Sequence, residues 1–331
     1  MKRMLLWIVL TILAFGGLAA CGSKNEKNAQ PTASSSAMVS ASPSEFLTFK
    51  DSTDQTVVLK TKPERIVILN NELLTLFYQI GGKTVGYAIS PGSIVPEEAK
   101  SSTEVGQINQ ISLEKVMSLK PDLVIGHPMF HSTLKDSMKT ADIPMALIKL
   151  DSYEGLKDLA SLFGKIASNE AKTTAGIQQL EEQVKNIQIK LPNQSPKFAI
   201  ITVMPMGISL QKSSSIALDL AGLLKLQNVI AHIPASGAMP SSVPYSLEKL
   251  VEQDPDLIFL VAHGTEEFGK QKLKSDLENN PAWASLRAVK EKKLFFLPSS
   301  LFVTPPGLQV NKSLEHMAKL VFPEVYGSIS P

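Results

Sequence analysis

The chain has 331 residues, 44% of them hydrophobic, with 33 basic against 31 acidic side chains and a formal net charge of +2. That balance gives no strong field for nucleic acid, and a lone cysteine leaves nothing for a disulfide framework or a structural zinc cluster. The fold must therefore stand on apolar cores, and the length allows two lobes of ordinary domain size.

The chain opens on Lys2 and Arg3, an apolar run over residues 4–17 and the tetrapeptide Leu18-Ala19-Ala20-Cys21. Residues 1–20 read as a signal peptide ending in a bacterial lipobox. The small residues let a signal peptidase approach the backbone, and the thiol of Cys21 is the nucleophile that takes the diacylglyceryl group, with palmitate as a further acyl chain. Residues 21–45 are poor in large apolar side chains and cannot bury enough surface to offset their ordering entropy, so they read as a lipidated flexible tether. The expected location is the cell membrane, lipid-anchored, on the extracytoplasmic side.

A small hairpin is expected over residues 46–59. PERIVILNNELLTLFYQIGG gives a buried strand at 65–69, a helix at 71–79 and a stop at Gly81 and Gly82; a short strand follows at 84–88 and another at 144–150. These elements make an N-terminal lobe over 46–152. Residues 153–190 carry Leu159, Leu162, Phe163, Ile166, Ile177, Leu180, Val184 and Ile187 at helical spacing and read as the connector, with a break allowed at Ser168 and Asn169. The C-terminal lobe, 191–331, restarts with the strand KFAIITVM. It continues with helices at about 215–226 and 273–286, the strand LFFLP and a final helix at about 307–322. Strands alternating with helices indicate an α/β fold: two lobes with central, mostly parallel sheets flanked by helices, joined by one long helix. Such a rigid link limits closure to small angles and suits a large, rigid ligand.

One phrase occurs twice. Residues 112–125 read SLEKVMSLKPDLVI and residues 246–259 read SLEKLVEQDPDLIF. In each copy a Ser stands at an N-cap, a Glu lies two positions into the helix, and a Pro-Asp pair closes it before a buried strand. A duplicated architecture presenting Glu114 on one lobe and Glu248 on the other suggests a symmetric partner gripping both, with a ligand between them.

These two phrases, with PERIVILNNE, EVGQ, NPAWASLRAVKEKKLFFL and PPGLQVNKSLEHMAKLVFPE, make the chain resemble the solute-binding lipoproteins of ABC importers for iron complexes, haem and vitamin B12. The resemblance spans roughly residues 63–322. It implies a non-enzymatic, monomeric receptor with a backbone helix between its lobes and no permanent cofactor. Its implied partners are an ABC permease dimer with a cytoplasmic ATPase, the membrane through the lipid, and a small iron complex. It further implies that Glu114 and Glu248 dock on arginines of the permease, although each would also complement the positive end of its own helix.

Ligands of parallel sheets gather at the carboxyl ends of strands. There the chain offers His127, Met129 and His131 after one strand, Met204 and Met206 after a second, and His263 after a third. His and Met are the usual axial ligands of haem iron. VAHG at 261–264 resembles the haem-binding branch of the family, which makes His263 the first choice as axial ligand. That branch places a Met shortly after EVG, whereas this chain reads QINQI, so the second ligand falls to Met129, His127 or His131, or the iron is five-coordinate. Tyr245 lines the crevice or staples a helix entry, and Phe302 and Tyr87 are candidate walls.

Arginine occurs only at 3, 65 and 287, which disfavours anionic siderophores clamped by guanidinium forks. Haem is thus placed ahead of a ferric siderophore or cobalamin. A zinc or manganese receptor built from His127, His131 and His263 is a more distant alternative. An enzyme is disfavoured because the chain has no GxSxG elbow and no glycine-rich phosphate loop, and its one thiol is assigned to lipid.

Overall fold

A computed structural model describes residues 45–329 except 91–92, 206 and 235–240, and not the side chain of Glu266. The signal segment, nearly all of the tether, Cys21 and Met206 lie outside the described residues. Among the described residues no helix is long and apolar enough to cross a membrane.

Strands β1 (Leu47–Lys50) and β2 (Thr56–Leu59) form the expected antiparallel hairpin. The first lobe follows with β3 (Ile66–Ile68), a 3-10 turn Asn71–Leu73, α1 (Leu74–Gln79), β4 (Gly86–Ile89), β5 (Thr103–Gln107) and β6 (Gln110–Ile111). It ends with α2 (Leu113–Ser118), β7 (Leu123–Gly126), α3 (Pro128–His131), α4 (Lys135–Thr140) and β8 (Met145–Leu147). The sheet order is β6-β5-β4-β3-β7-β8, parallel throughout except for β6.

Asp51, in the hairpin turn, fastens the β8 edge. Its Oδ2 accepts from Leu147 N–H (3.1 Å) and from Lys135 Nζ (2.8 Å), while its Oδ1 accepts from Thr53 and Gln55. Burial pushes its pKa up, but the bonds from Lys135, Thr53 and Leu147 outweigh that and hold it at about 2.

The connector breaks where Ser168 and Asn169 allow. Helix α5 (Tyr153–Ala167) ends on Ser168 in the left-handed region (φ 56°), and α6 (Glu170–Gln188) folds back against it. The link is a helical hairpin, because a left-handed C-cap reverses the chain where a continued helix would have extended it.

The second lobe contains β9 (Lys197–Met204), β10 (Gly207–Gln211), α7 (Ile216–Leu223), β11 (Gln227–Asn228), β12 (Ser242–Pro244), α8 (Leu247–Gln253), β13 (Leu257–Ala262), α9 (Glu266–Leu273) and β14 (Leu294–Leu297). Its order is β12-β10-β9-β13-β14 with β11 beside β9, and only β10 runs against the rest. The expected helix at 273–286 is instead the end of α9, a π-turn Lys274–Glu278 and a separate helix Pro281–Ser285. Asn280 caps that helix and Pro281 takes its first position, a combination that starts a helix rather than continuing one.

The two phrases fold alike to the level of single bonds. Ser112 Oγ accepts from Lys115 N–H and Ser246 Oγ from Lys249 N–H, each at 3.3 Å. Each helix is left through a left-handed residue, Lys120 (φ 47°) or Asp254 (φ 39°). The Asp of each Pro-Asp pair then pins the neighbouring strand: Asp122 accepts from the N–H groups of Glu64 and Arg65 before β3, and Asp256 from Lys197 N–H at the start of β9.

One apolar cluster runs from β2 and β3 through α1 and α5 to β9, β13 and the C-terminal helix Asn311–Val321, so the two lobes share a core. Phe77 on α1 meets Phe163 on α5 edge to face at 5.0 Å. Because sliding the lobes would disrupt close-packed side chains, this continuity restricts hinge motion more than the helical link alone.

Candidate functional site

Loops from the carboxyl edges of both sheets bridge the lobes. Beyond β14, Pro306 C=O accepts from Gln79 Nε2 on α1 (3.0 Å) and Leu308 N–H donates to Gln79 Oε1 (2.8 Å). Gly307 between them has φ 59° and presses on Leu76 and Gln79, where a Cβ would collide. Beyond β8, Tyr153 N–H donates to Asp219 Oδ2 on α7 (2.7 Å). The two carboxyl edges are thus linked across the lobes, on the side where ligands of parallel sheets usually gather.

On the first-lobe edge, His127 follows β7 and caps α3, its Nδ1 accepting from Met129 N–H at 3.1 Å. With Nδ1 an acceptor, the ring proton sits on Nε2. Desolvation first, then the neighbouring His131 ring and the Lys149 ammonium, each of which disfavours a second positive charge, pull its pKa to about 4, so it is neutral at physiological pH. Met129 and Phe130 are 63% and 43% exposed and form an apolar lip.

His131 is 1% exposed and fully committed: Nδ1 accepts from His127 N–H (2.8 Å) and Nε2 bonds Ile108 C=O (2.7 Å). Since a carbonyl only accepts, the proton is on Nε2 and neither nitrogen is left for a metal. His131 is therefore corrected from candidate ligand to a brace tying α3 to the β5–β6 turn.

On the second-lobe edge, His263 N–H donates to Val203 C=O (2.9 Å) while its ring is exposed and has no hydrogen-bond partner among the described residues. Partial desolvation by the surrounding protein lowers its pKa. Gly264 (φ 142°) supplies the turn from β13 into α9, which Thr265 caps through Phe268 N–H. Met204 is half-buried at the end of β9.

Tyr245, also half-buried, shares an apolar cluster with Leu250, the pairing of a hydrophobic staple at the entry to α8. Its hydroxyl is buried without a partner among the described residues, and desolvation pushes its pKa up to about 12. Phe302 and Tyr87, 5% and 7% exposed, belong to the shared core, so neither is a crevice wall.

Sequence reasoning missed Asn71 and Glu72, which sit just past β3. They read as the opening of a helix, though the strand-end rule applied elsewhere would have found them. Asn71 Oδ1 accepts from Ser90 Oγ just past β4 (2.6 Å), while its Nδ2 is buried without a partner among the described residues. Glu72 is half-buried; its carboxylate has no hydrogen bond or ion pair among the described residues, and desolvation raises its pKa to about 7.

Glu114 and Glu248 are exposed in the first turns of α2 and α8, and neither joins an ion pair among the described residues. Arg65 donates to Leu119 C=O, and Arg287 pairs with Asp254 and Asp256, so both body arginines brace the fold. Among the described residues no three His, Cys, Asp or Glu side chains converge on a metal position.

A family model described as periplasmic binding protein matches residues 66–301. Over 89% of its length the chain is 30% identical to the iron-uptake system-binding protein of Bacillus subtilis, covering 90% of it. It is 26% identical to the ABC transporter substrate-binding lipoprotein YvrC of Bacillus subtilis over 98% of this chain and 99% of the relative. Its fold matches Staphylococcus aureus IsdE complexed with heme (TM-score 0.67, 22% identity, 78% of this chain and 98% of that one). It also matches Staphylococcus aureus SirA complexed with staphyloferrin B (TM-score 0.69, 19% identity, 83% and 98%). The chain belongs to the periplasmic binding protein family, among the substrate-binding proteins of ABC importers for iron-siderophore complexes, haem and vitamin B12. It is a binding protein, not an enzyme.

Proposed function

We propose that this chain is the receptor of an ABC importer for an iron complex, that the complex binds between the carboxyl edges of the two sheets, and that haem is its cargo. The observation that carries the reading is His263: an exposed imidazole just past β13 with no hydrogen-bond partner among the described residues. Together with the exposed Met129 and Phe130 on the other edge, it suits an apolar macrocycle with an open axial position. Met129 or His127 Nε2 supplies the second axial group, or the iron stays five-coordinate. Met204 and Tyr245 sit at the second-lobe edge, and Met206 belongs to the same strand end by sequence. Relatives named for iron uptake and for high-affinity heme uptake support the cargo class.

A ferric siderophore is the second reading. Asn71 and Glu72 favour it, because a porphyrin face offers little to an orphan amide and an unpaired carboxylate.

Glu114 and Glu248 dock on arginines of a permease dimer that works with a cytoplasmic ATPase, and Cys21 carries the lipid that keeps the receptor at the extracytoplasmic face of the membrane. Relatives named as lipoproteins support that anchor. The test is a titration of the purified full chain with hemin, a ferric siderophore and cobalamin. Saturable binding of hemin supports the reading; binding of cobalamin alone, or of none, contradicts it.

A further inference from the structure

Buried side-chain polar atoms that lack any partner are rare in folded proteins, and each calls for an explanation. Among the described residues there are two, Asn71 Nδ2 and Tyr245 Oη. One lies in each lobe, and each follows the carboxyl end of a strand, β3 or β12. Glu72, beside Asn71, adds a half-buried carboxylate with no cation against it. Its own N–H is taken by Asn70 Oδ1 (3.3 Å), so the backbone is satisfied and only the side chain is left open. Ionising a carboxyl withdrawn from water without a counter-charge is a cost to the empty protein. The cost is relieved when a ligand brings the missing partner.

We infer that Glu72 sets the charge of the cargo surface held against the first lobe. It takes a cation or a hydrogen-bond donor, such as an ammonium or amide N–H, while Asn71 Nδ2 donates to a neighbouring oxygen. Carboxylates of the cargo are turned away from this edge. The inference rests on the crevice being the cargo site and deepens that reading. For haem it means that the propionates point away from β3. For a siderophore it selects neutral or cationic hydroxamates over polycarboxylates, in keeping with an edge that has no free arginine.

The test uses the full chain in detergent and four probes, followed by fluorescence quenching. Two are ferric trihydroxamates of the same shape, one ending in a free ammonium and the other in its neutral acetamide; the third is ferric citrate, a polyanion, and the fourth is hemin. The wild type is expected to bind the ammonium form about tenfold tighter than the acetylated form, the scale of a hydrogen bond to a charged group, and ferric citrate most weakly. Glu72→Gln should bring the two hydroxamates to near equality and raise ferric citrate affinity about tenfold. Glu72→Gln and Glu72→Met should both melt no lower than wild type, since each removes a desolvated carboxyl that has no partner among the described residues. Unchanged ratios in both variants overturn the role of Glu72, as does binding of hemin alone with an affinity neither variant alters. Failure of all four probes to bind the wild type overturns the iron-complex reading itself.

Discussion

The two histidine-bearing edges of this protein arise from the same sequence phrase and end in opposite states. After β7 the first-lobe edge is fastened: His131 is buried with both nitrogens bonded, His127 caps α3, and Asp51 ties β8 to the hairpin. After β13 the second-lobe edge carries an exposed imidazole at His263 and a buried hydroxyl at Tyr245, neither with a hydrogen-bond partner among the described residues. Chemical type alone therefore does not mark a ligand group. A histidine whose lone pairs are spent on the fold is architecture, whereas one left open at the same topological position is available to cargo.

That contrast predicts that substituting a side chain whose bonds are spent on the fold costs stability, while substituting the open imidazole costs binding. The largest expected change is from His131→Ala, which removes two hydrogen bonds and a buried ring. It should lower unfolding free energy by about 3 kcal/mol in urea titration while leaving cargo affinity within a few fold for whatever folds. A loss below 1 kcal/mol would break the comparison.

Asp51→Asn should cost about 2 kcal/mol at neutral pH. With its folded pKa held at about 2, below the unfolded value, its stabilisation is complete above about pH 4 and is lost as pH falls toward 2. The variant should lack that part of the acid slope in stability measured against pH. On the second edge, Tyr245→Phe removes an unsatisfied buried hydroxyl and should raise stability by about 1 kcal/mol, read by thermal unfolding. Glu114→Gln and Glu248→Gln, exposed in equivalent first turns, should each change stability by less than about 0.5 kcal/mol. Their signature should be reduced delivery in an uptake assay with cargo affinity intact. Unequal losses would show that the lobes do not grip the permease symmetrically.

Much of this was legible in the residues. The two SLEK phrases, their serine caps and their Pro-Asp closures announce equivalent units, because local bonds within a few residues dictate them. Asp122 and Asp256 reach strands more than fifty residues away, yet their pairing follows from the repeat. The fold-back at Ser168 could be seen only as an allowed break, since a serine in left-handed conformation leaves no compositional mark as glycine would. In sequence His131 stands as a candidate ligand, because its partner Ile108 lies 23 residues earlier, across a contact that only the fold creates. Glu72 escaped notice for the opposite reason: its importance lies in what does not reach it.

The central claim is that cargo iron meets His263 between the two edges. It is tested most directly by the absorption spectrum of the purified full chain titrated with hemin, wild type beside His263→Ala. The account predicts a saturable Soret shift in the wild type and an affinity reduced about 30-fold or more in the variant, at an unchanged melting temperature. A Soret shift of the same size and affinity in His263→Ala would contradict it.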